Sequence, residues 1–121
     1  MTKRILVVED QEDNRQILRD LLANAGFDMI EAEDGVPAIV AASKHRPDLI
    51  LMDIQLPMVD GYEATRRIKA DPALSAIPII VVTSYALSGD EDRARAAGCD
   101  AYVAKPYSPR ALLAKIREYL P

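Results

Sequence analysis

The stretch Pro47–Gly61, PDLILMDIQLPMVDG, limits what this chain can fold into more than any other. Its run DLILM shows no polar–apolar alternation, the pattern of a strand covered on both faces rather than on one. The run stops on a carboxylate, Asp53. Pro57 and Gly61 then punctuate a loop. Asp60 followed by Glu63 forms a capping-box pattern, so a helix is expected to begin there. Open α/β sheets gather their chemistry beside the loops at the C-terminal ends of strands, and Asp53 stands at such an end. Taken alone, Asp53 reads as a residue that merely terminates a strand. Its companions elsewhere in the chain change that reading.

The flanking segments repeat one theme. Lys3–Val8 is a short, β-rich apolar run that gives way to Glu9 and Asp10. Over Asn14–Ala25, the residues Ile17, Leu18, Leu21, Leu22 and Ala25 fall on one helical stripe, and Gly26 suits the position just past the helix end. Phe27–Ala32 reads as a second strand. Asp34 and Gly35 open a second helix, which tolerates Pro37 because first-turn N–H groups have no intrahelical partner. That helix should end before Pro47. Gly61–Ala70 is the third helix, stopped by Asp71-Pro72. Ile77–Thr83, IPIIVVT, is the most apolar strand. Ser88 with Glu91 makes a second S-x-x-E box, for a helix closing at Gly98. Asp100–Ala104 is a short last strand. Ser108 and Pro109 then supply an N-cap and a first-position proline for a final helix bearing Leu112, Leu113, Ile116 and Leu120.

Strand and helix thus alternate five times with short connections, and no linker, low-complexity tract or further repeat interrupts them. Such alternation predicts a parallel sheet with right-handed crossovers and helices on both faces. The expected fold is a doubly wound α/β domain, flavodoxin-like, with strand order 2-1-3-4-5 assigned by analogy. The 121 residues are expected to form one domain, large enough to bury about two-thirds of the extended chain's surface. A net charge of -4 argues against nucleic-acid binding through bulk electrostatics. One cysteine, Cys99, rules out an internal disulfide and fits a reducing compartment. No apolar run reaches membrane-span length, and Ile5–Val8 meets acid too soon for a signal peptide. A soluble, cytoplasmic domain is expected, with no membrane partner.

In the expected fold the strand ends share one edge. Glu9 and Asp10 close the first strand, Asp53 the third and Thr83 the fourth, while the fifth runs into Lys105-Pro106. Three carboxylates, a hydroxyl and an ammonium would meet there. Three acids within a few ångströms repel one another unless a cation neutralises them. Hard oxygen donors with no well-placed His or Cys suit Mg²⁺ better than zinc. A carboxylate nucleophile beside Mg²⁺, a lysine and a hydroxyl fits phosphoryl transfer to Asp53. The metal and Lys105 would offset charge on the phosphoryl oxygens, and Thr83 would hydrogen-bond one of them.

Four fragments now carry a family likeness: ILVVED with Glu9 and Asp10, DLILMDIQLPMVDG around Asp53, VVTSYA around Thr83, and AYVAKP ending in Lys105-Pro106. Over its whole length the chain resembles a response-regulator receiver domain of bacterial two-component signalling. The stretch SYALSGDEDRARAAGCDAYVAKPYS most resembles single-domain cell-division regulators and the receivers of hybrid kinases. The resemblance implies that Asp53 takes phosphate from a sensor histidine kinase or a histidine phosphotransfer protein and signals to a downstream effector. It implies metal ligation by Asp10, Asp53 and the backbone carbonyl of Gln55, with Glu9 acting through water. It implies a switch pair of Thr83 and Tyr102, and a cis peptide at Lys105-Pro106. Tyr85, Leu87, Tyr102, Pro106 and Tyr107 are the expected switch and partner face, with the tyrosines and Leu87 exposed. Gln55 and Tyr85 resemble the positions that rim the phosphoryl group. Chemistry of this kind acts on the domain's own Asp53 rather than on an external metabolite.

Several residues read more plainly. His45, in the polar helix end KHRP, reads as surface decoration, and Cys99 as a small buried hydrophobe with no basic neighbour to activate it. Rival functions fare worse on the residues. A flavin or nucleotide binder needs a first loop that offers N–H groups to phosphate, whereas EDQED repels it. An aspartyl phosphatase commonly carries a second acid two residues past its nucleophile, and position 55 is Gln. The alternative that remains is an interaction module on the same fold that accepts no phosphate. Pro121 follows directly on the last helix, which fits both a stand-alone receiver and one domain of a larger regulator or hybrid kinase.

Overall fold

The computed structural model describes residues 2–54, 56, 58–83 and 90–121, without the side chains of Asp90 and Glu91. In chain order the elements are β1 (Arg4–Val8), α1 (Glu12–Asn24), β2 (Asp28–Ala32), α2 (Gly35–His45), β3 (Leu49–Asp53), α3 (Gly61–Ala70), β4 (Ile79–Thr83), α4 (Asp90–Ala96), β5 (Ala101–Ala104) and α5 (Pro109–Tyr119). The five strands are parallel in the order β2-β1-β3-β4-β5, as expected. The register pairs Val8 with Met52, Met52 with Val81, and Thr83 with Ala104, so all C-terminal ends reach the same edge.

The absence of alternation in β1, β3 and β4 has a direct cause. Successive side chains of a strand point to opposite faces. Leu6, Val8, Ile50, Met52, Ile79 and Val81 face one core layer, beneath α2, α3 and α4. Ile5, Val7, Leu49, Leu51, Ile80 and Val82 face the other, beneath α1 and α5. Both layers exclude water, so each of these positions is apolar. The edge strand β2 is only partly covered, and its sequence, DMIEA, is correspondingly mixed.

The helix ends follow local chemistry. Gly26 and Gly98 stand past α1 and α4 with φ of 87° and 104°, the left-handed conformation that ends helices. Ser108 accepts a hydrogen bond from the Ala111 N–H, with Pro109 at the start of α5. Half of the Asp60 box forms: Asp60 accepts from Glu63 N at 2.9 Å, but the Glu63 carboxylate turns outward to Arg66 and Arg67. Ser88 lies outside the described residues, as does the Glu91 side chain, and so does their box. Pro57 lies outside them too.

Two details differ from the sequence pattern. The helix expected from Asn14 begins at Glu12, and its buried stripe is Arg15, Leu18 and Leu22. Ile17, placed on the core side by spacing alone, is 57% exposed. A polar residue therefore occupies the inner stripe, because its guanidinium finds partners there. In addition, Arg46 takes a left-handed φ of 45° where α2 ends. A left-handed residue commonly closes a helix, with proline soon after because it cannot continue the helix, and here Pro47 follows directly.

One buried polar atom lacks a partner among the described residues: the hydroxyl of Thr65, fully buried on α3. A buried donor left unsatisfied costs about 1–3 kcal/mol, and valine has the same branched shape. Thr65→Val is expected to raise the unfolding free energy by about 1 kcal/mol in urea denaturation. A loss of stability would mean that the hydroxyl is bonded in solution.

Candidate functional site: an acidic cluster at the sheet edge

Four strand ends deliver the site. The ladder between β1 and β2 continues one residue past Val8, where Glu9 N donates to Ala32 O at 3.0 Å, so Glu9 is held as rigidly as the strand. Asp53 is the last residue of β3 and Thr83 the last of β4. Lys105 is tied to Thr83 by a 2.7 Å bond from its backbone N–H to the Thr83 carbonyl. Behind Asp53, helix α3 starts very close: a Cβ at Gly61 would collide with the Asp53 carbonyl oxygen. Only glycine lets α3 begin there, and Gly61 N also donates to Ile54 O at 3.0 Å.

The carboxylates converge as the strand ends predict. Glu9, Asp10 and Asp53 each place an oxygen within 4.8 Å of the others. Glu9 is 3% exposed and Asp53 6%, whereas Asp10 is half-buried. Lys105 Nζ lies 3.2 Å from Glu9 Oε1 and 3.5 Å from Asp53 Oδ2. Burial pulls the lysine's pKa down, but the charges of Asp53 and Glu9 outweigh it and hold the ammonium above its ordinary value. The stability that this pairing supplies is fully present below about pH 10.5, the unfolded value, and is lost as pH rises through the folded one. Glu9 also accepts from Gln11 N and from Asn14 Nδ2, each at 3.2 Å. Asp10 accepts only a long 3.4 Å bond from Gln11 Nε2 among the described residues. One ammonium is therefore shared by Glu9 and Asp53, and the three acids keep surplus negative charge.

The donor set fits a small hard dication. It offers carboxylate oxygens at one edge, with no imidazole or thiolate among the acids that cluster there, which suits Mg²⁺ and disfavours softer metals.

The other expected residues separate into three groups. Thr83 is fully buried at the site, and the Lys105-Pro106 peptide is cis. Gln55, Tyr85 and Leu87 lie outside the described residues. Tyr102 and Tyr107, expected to be exposed, are both half-buried. Tyr102 packs against the layer beneath α2, α3 and α4. Tyr107 packs against the opposite layer and lines one small cavity with Glu9, Asp53, Lys105 and Leu112. Its hydroxyl pKa is raised, first by burial, with Lys105 opposing and Glu9 and Asp53 adding to the rise. The chain must bring Lys105 to the acids and then start α5 at Ser108, which leaves Tyr107 against the site rather than on an outer face.

Three contributors do not follow from the spacing of the strand ends. Asn14 braces the Glu9 carboxylate, and buried Arg15 donates to the Glu9 carbonyl at 2.8 Å. Asp34 caps α2 through Gly35 N and also accepts from Met58 N and Val59 N, across to the loop after Asp53. Burial pushes the Asp34 carboxyl up, yet these N–H donors prevail and hold it below its ordinary value. The available signal was an arginine on an apolar stripe among Glu12, Glu31 and Glu33.

A parallel (βα)5 sheet with three acids, a threonine and a lysine at its C-terminal edge is the architecture of a two-component receiver domain. Residues 5–117 match the response regulator receiver domain family, and the chain belongs to it. The polar-differentiation response regulator DivK of Brucella ovis is 47% identical over 120 residues, which cover 99% of this chain and 98% of that protein. Among solved structures, the receiver domain of a sensor histidine kinase from Pseudomonas aeruginosa has a magnesium ion coordinated in its active-site cleft. It superposes with a TM-score of 0.92 at 36% identity, covering 99% of this chain and 98% of that one. The chemotaxis protein CheY4 of Vibrio cholerae superposes with a TM-score of 0.92 at 26% identity, over 98% and 99% of the two chains. No helix among the described residues is long and apolar enough to cross a membrane.

The charge map makes a sharp prediction about metal-free protein. Like charges this close repel by roughly 2 kcal/mol per pair at an intermediate dielectric. Asp10→Asn should therefore stabilise the domain in EDTA by about 1 kcal/mol in urea unfolding. Glu9→Gln should gain less, because it weakens bonds to Lys105, Gln11 and Asn14. Excess Mg²⁺ should stabilise wild type more than Asp10→Asn, since binding to the native state shifts unfolding by mass action.

Proposed function

We propose that this receiver domain is a Mg²⁺-dependent signalling switch that carries phosphate on Asp53. The supporting observation is the lysine bridge: one ammonium within 3.5 Å of both Glu9 and Asp53, at an edge where a third acid is close by. An Asp53 oxygen attacks the phosphorus of a phosphohistidine on a sensor kinase or phosphotransfer protein. The new O–P bond forms as the P–N bond breaks, and its electron pair stays on the imidazole nitrogen. Water later attacks the acyl phosphate, releasing phosphate and restoring the carboxylate. Asp10, Asp53 and the backbone carbonyl of Gln55 would hold the metal, with Glu9 acting through water. When bound, Mg²⁺ supplies positive charge to the phosphoryl oxygens. Lys105 offsets charge on the same oxygens and Thr83 hydrogen-bonds one of them.

Output follows from the same groups. Lys105 exchanges carboxylate partners for phosphoryl oxygens, Thr83 moves toward the phosphate, and half-buried Tyr102 turns further inward. The face carrying Tyr85, Leu87, Tyr102 and Pro106 is remodelled for an effector protein. Two states separated by a few kcal/mol suffice for such a switch. The setting is cytoplasmic, within a phosphorelay.

Acetyl phosphate with Mg²⁺ is expected to add one phosphoryl group to wild type by intact mass, and none to Asp53→Asn. EDTA should abolish the addition. Equal labelling of Asp53→Asn would overturn the assignment. A chain that takes no phosphate from acetyl phosphate or from a phosphorylated histidine donor would be an interaction module instead.

A further inference from the structure

Helix α1 buries an arginine where its inner stripe would ordinarily hold a leucine. Arg15 is 6% exposed. Its Nη1 donates to the main-chain carbonyl of Glu9 at 2.8 Å. Nη2 lies 2.5 Å from Glu12 Oε2 and 3.2 Å from Glu33 Oε1, and Nε lies 3.3 Å from Glu31 Oε1. One guanidinium thus spans from the end of β1, across α1, to the end of β2 and the residues after it.

Stability alone accounts poorly for this arrangement. Desolvating a guanidinium is costly, and a well-packed apolar side chain commonly serves a core as well or better. The Glu12 and Glu33 carboxylates are largely in water, where ion pairs contribute little. The bond to Glu9 is of another kind. It is buried, and the carbonyl it holds belongs to the peptide group linking Glu9 to Asp10. The orientation of that plane sets the angle between two of the three clustered carboxylates. Asn14, one residue earlier on α1, holds the Glu9 side chain itself. The first turns of α1 therefore grip both the backbone and the side chain of the acid pair.

We infer that Arg15 is a positioning residue for divalent-cation binding: it orients the Glu9–Asp10 peptide so that both carboxylates are set before the cation arrives. This rests on reading the Glu9, Asp10 and Asp53 cluster as a Mg²⁺ site. Arg15 touches no cation and supplies no ligand. Groups that orient metal ligands from behind typically change affinity by about 10–100-fold when removed.

Mg²⁺ titration followed by amide NMR shifts tests the inference without relying on phosphorylation. Arg15→Met should bind Mg²⁺ about tenfold more weakly than wild type, at the lower end of that range. Arg15→Lys keeps the charge against Glu31 and Glu33 but cannot make the forked set of contacts, so its affinity should fall between the two. Ile68→Val, a core change on the other side of the sheet, should bind as wild type does. Wild-type affinity in both Arg15 variants would overturn the inference, as would an equal loss in Ile68→Val. If Arg15→Met does not fold, Arg15→Lys decides alone. A wild-type protein that binds no Mg²⁺ would remove the cation reading and this inference with it, an outcome distinct from tight binding that ignores Arg15.

Discussion

Three carboxylates are held together against their own repulsion, and the rest of the structure is arranged around that constraint. Oxygens of Glu9, Asp10 and Asp53 lie within 4.8 Å of one another, two of these residues being almost fully buried. A free chain would spread such charges apart. Here they are fixed because each ends or follows a strand that is packed on both faces. Lys105 compensates part of the charge, and the remainder leaves an acidic edge whose oxygen donors suit a hard dication. Functional strain of this kind persists only where surrounding packing over-determines the geometry.

The two ends of the sheet contrast sharply. At the end opposite the site, Lys69 Nζ donates to Ser75 O, Ile77 O and Asp100 Oδ2, while Asp100 also accepts from Ile79 N. The Tyr119 hydroxyl closes on the Asp100 carbonyl at 2.9 Å. Donors and acceptors match there, and charge balances. This clasp joins the end of α3, the starts of β4 and β5, and the end of α5. The C-terminal edge can therefore carry unbalanced charge without loosening the fold. On the side of the expected output face, α4 meets α3 through Arg93, whose guanidinium stands 4.4 Å over the Tyr62 ring. That contact is modest in energy.

Much of this is legible in the amino-acid sequence alone. Unalternating runs at Ile5–Val8, Leu49–Met52 and Ile79–Val82 demand two covering layers, and the helices between them supply those layers. Glu9, Asp10, Asp53, Thr83 and Lys105 follow, because parallel strands deliver their ends to one edge. Side-chain direction was less legible. Ile17 fits an apolar stripe by spacing yet faces water, and Arg15 takes the inner position. Tyr107 looks like an outer-face residue two positions past Lys105 and instead lines the site cavity. Asp34 looks like a simple cap and also holds the loop after Asp53.

The division has a physical basis. Hydrophobic period, helix caps and turn residues are local and act over a few positions, so the chain by itself determined the order of elements, the parallel sheet and the set of residues at its edge. Partners distant in sequence are chosen by packing and electrostatics in three dimensions. Which acids Lys105 compensates, which stripe of α1 turns inward, and where Tyr102 and Tyr107 come to rest depend on how the layers press together. Tertiary structure alone decided those, since each is settled by desolvation and by groups that meet only once the sheet is assembled.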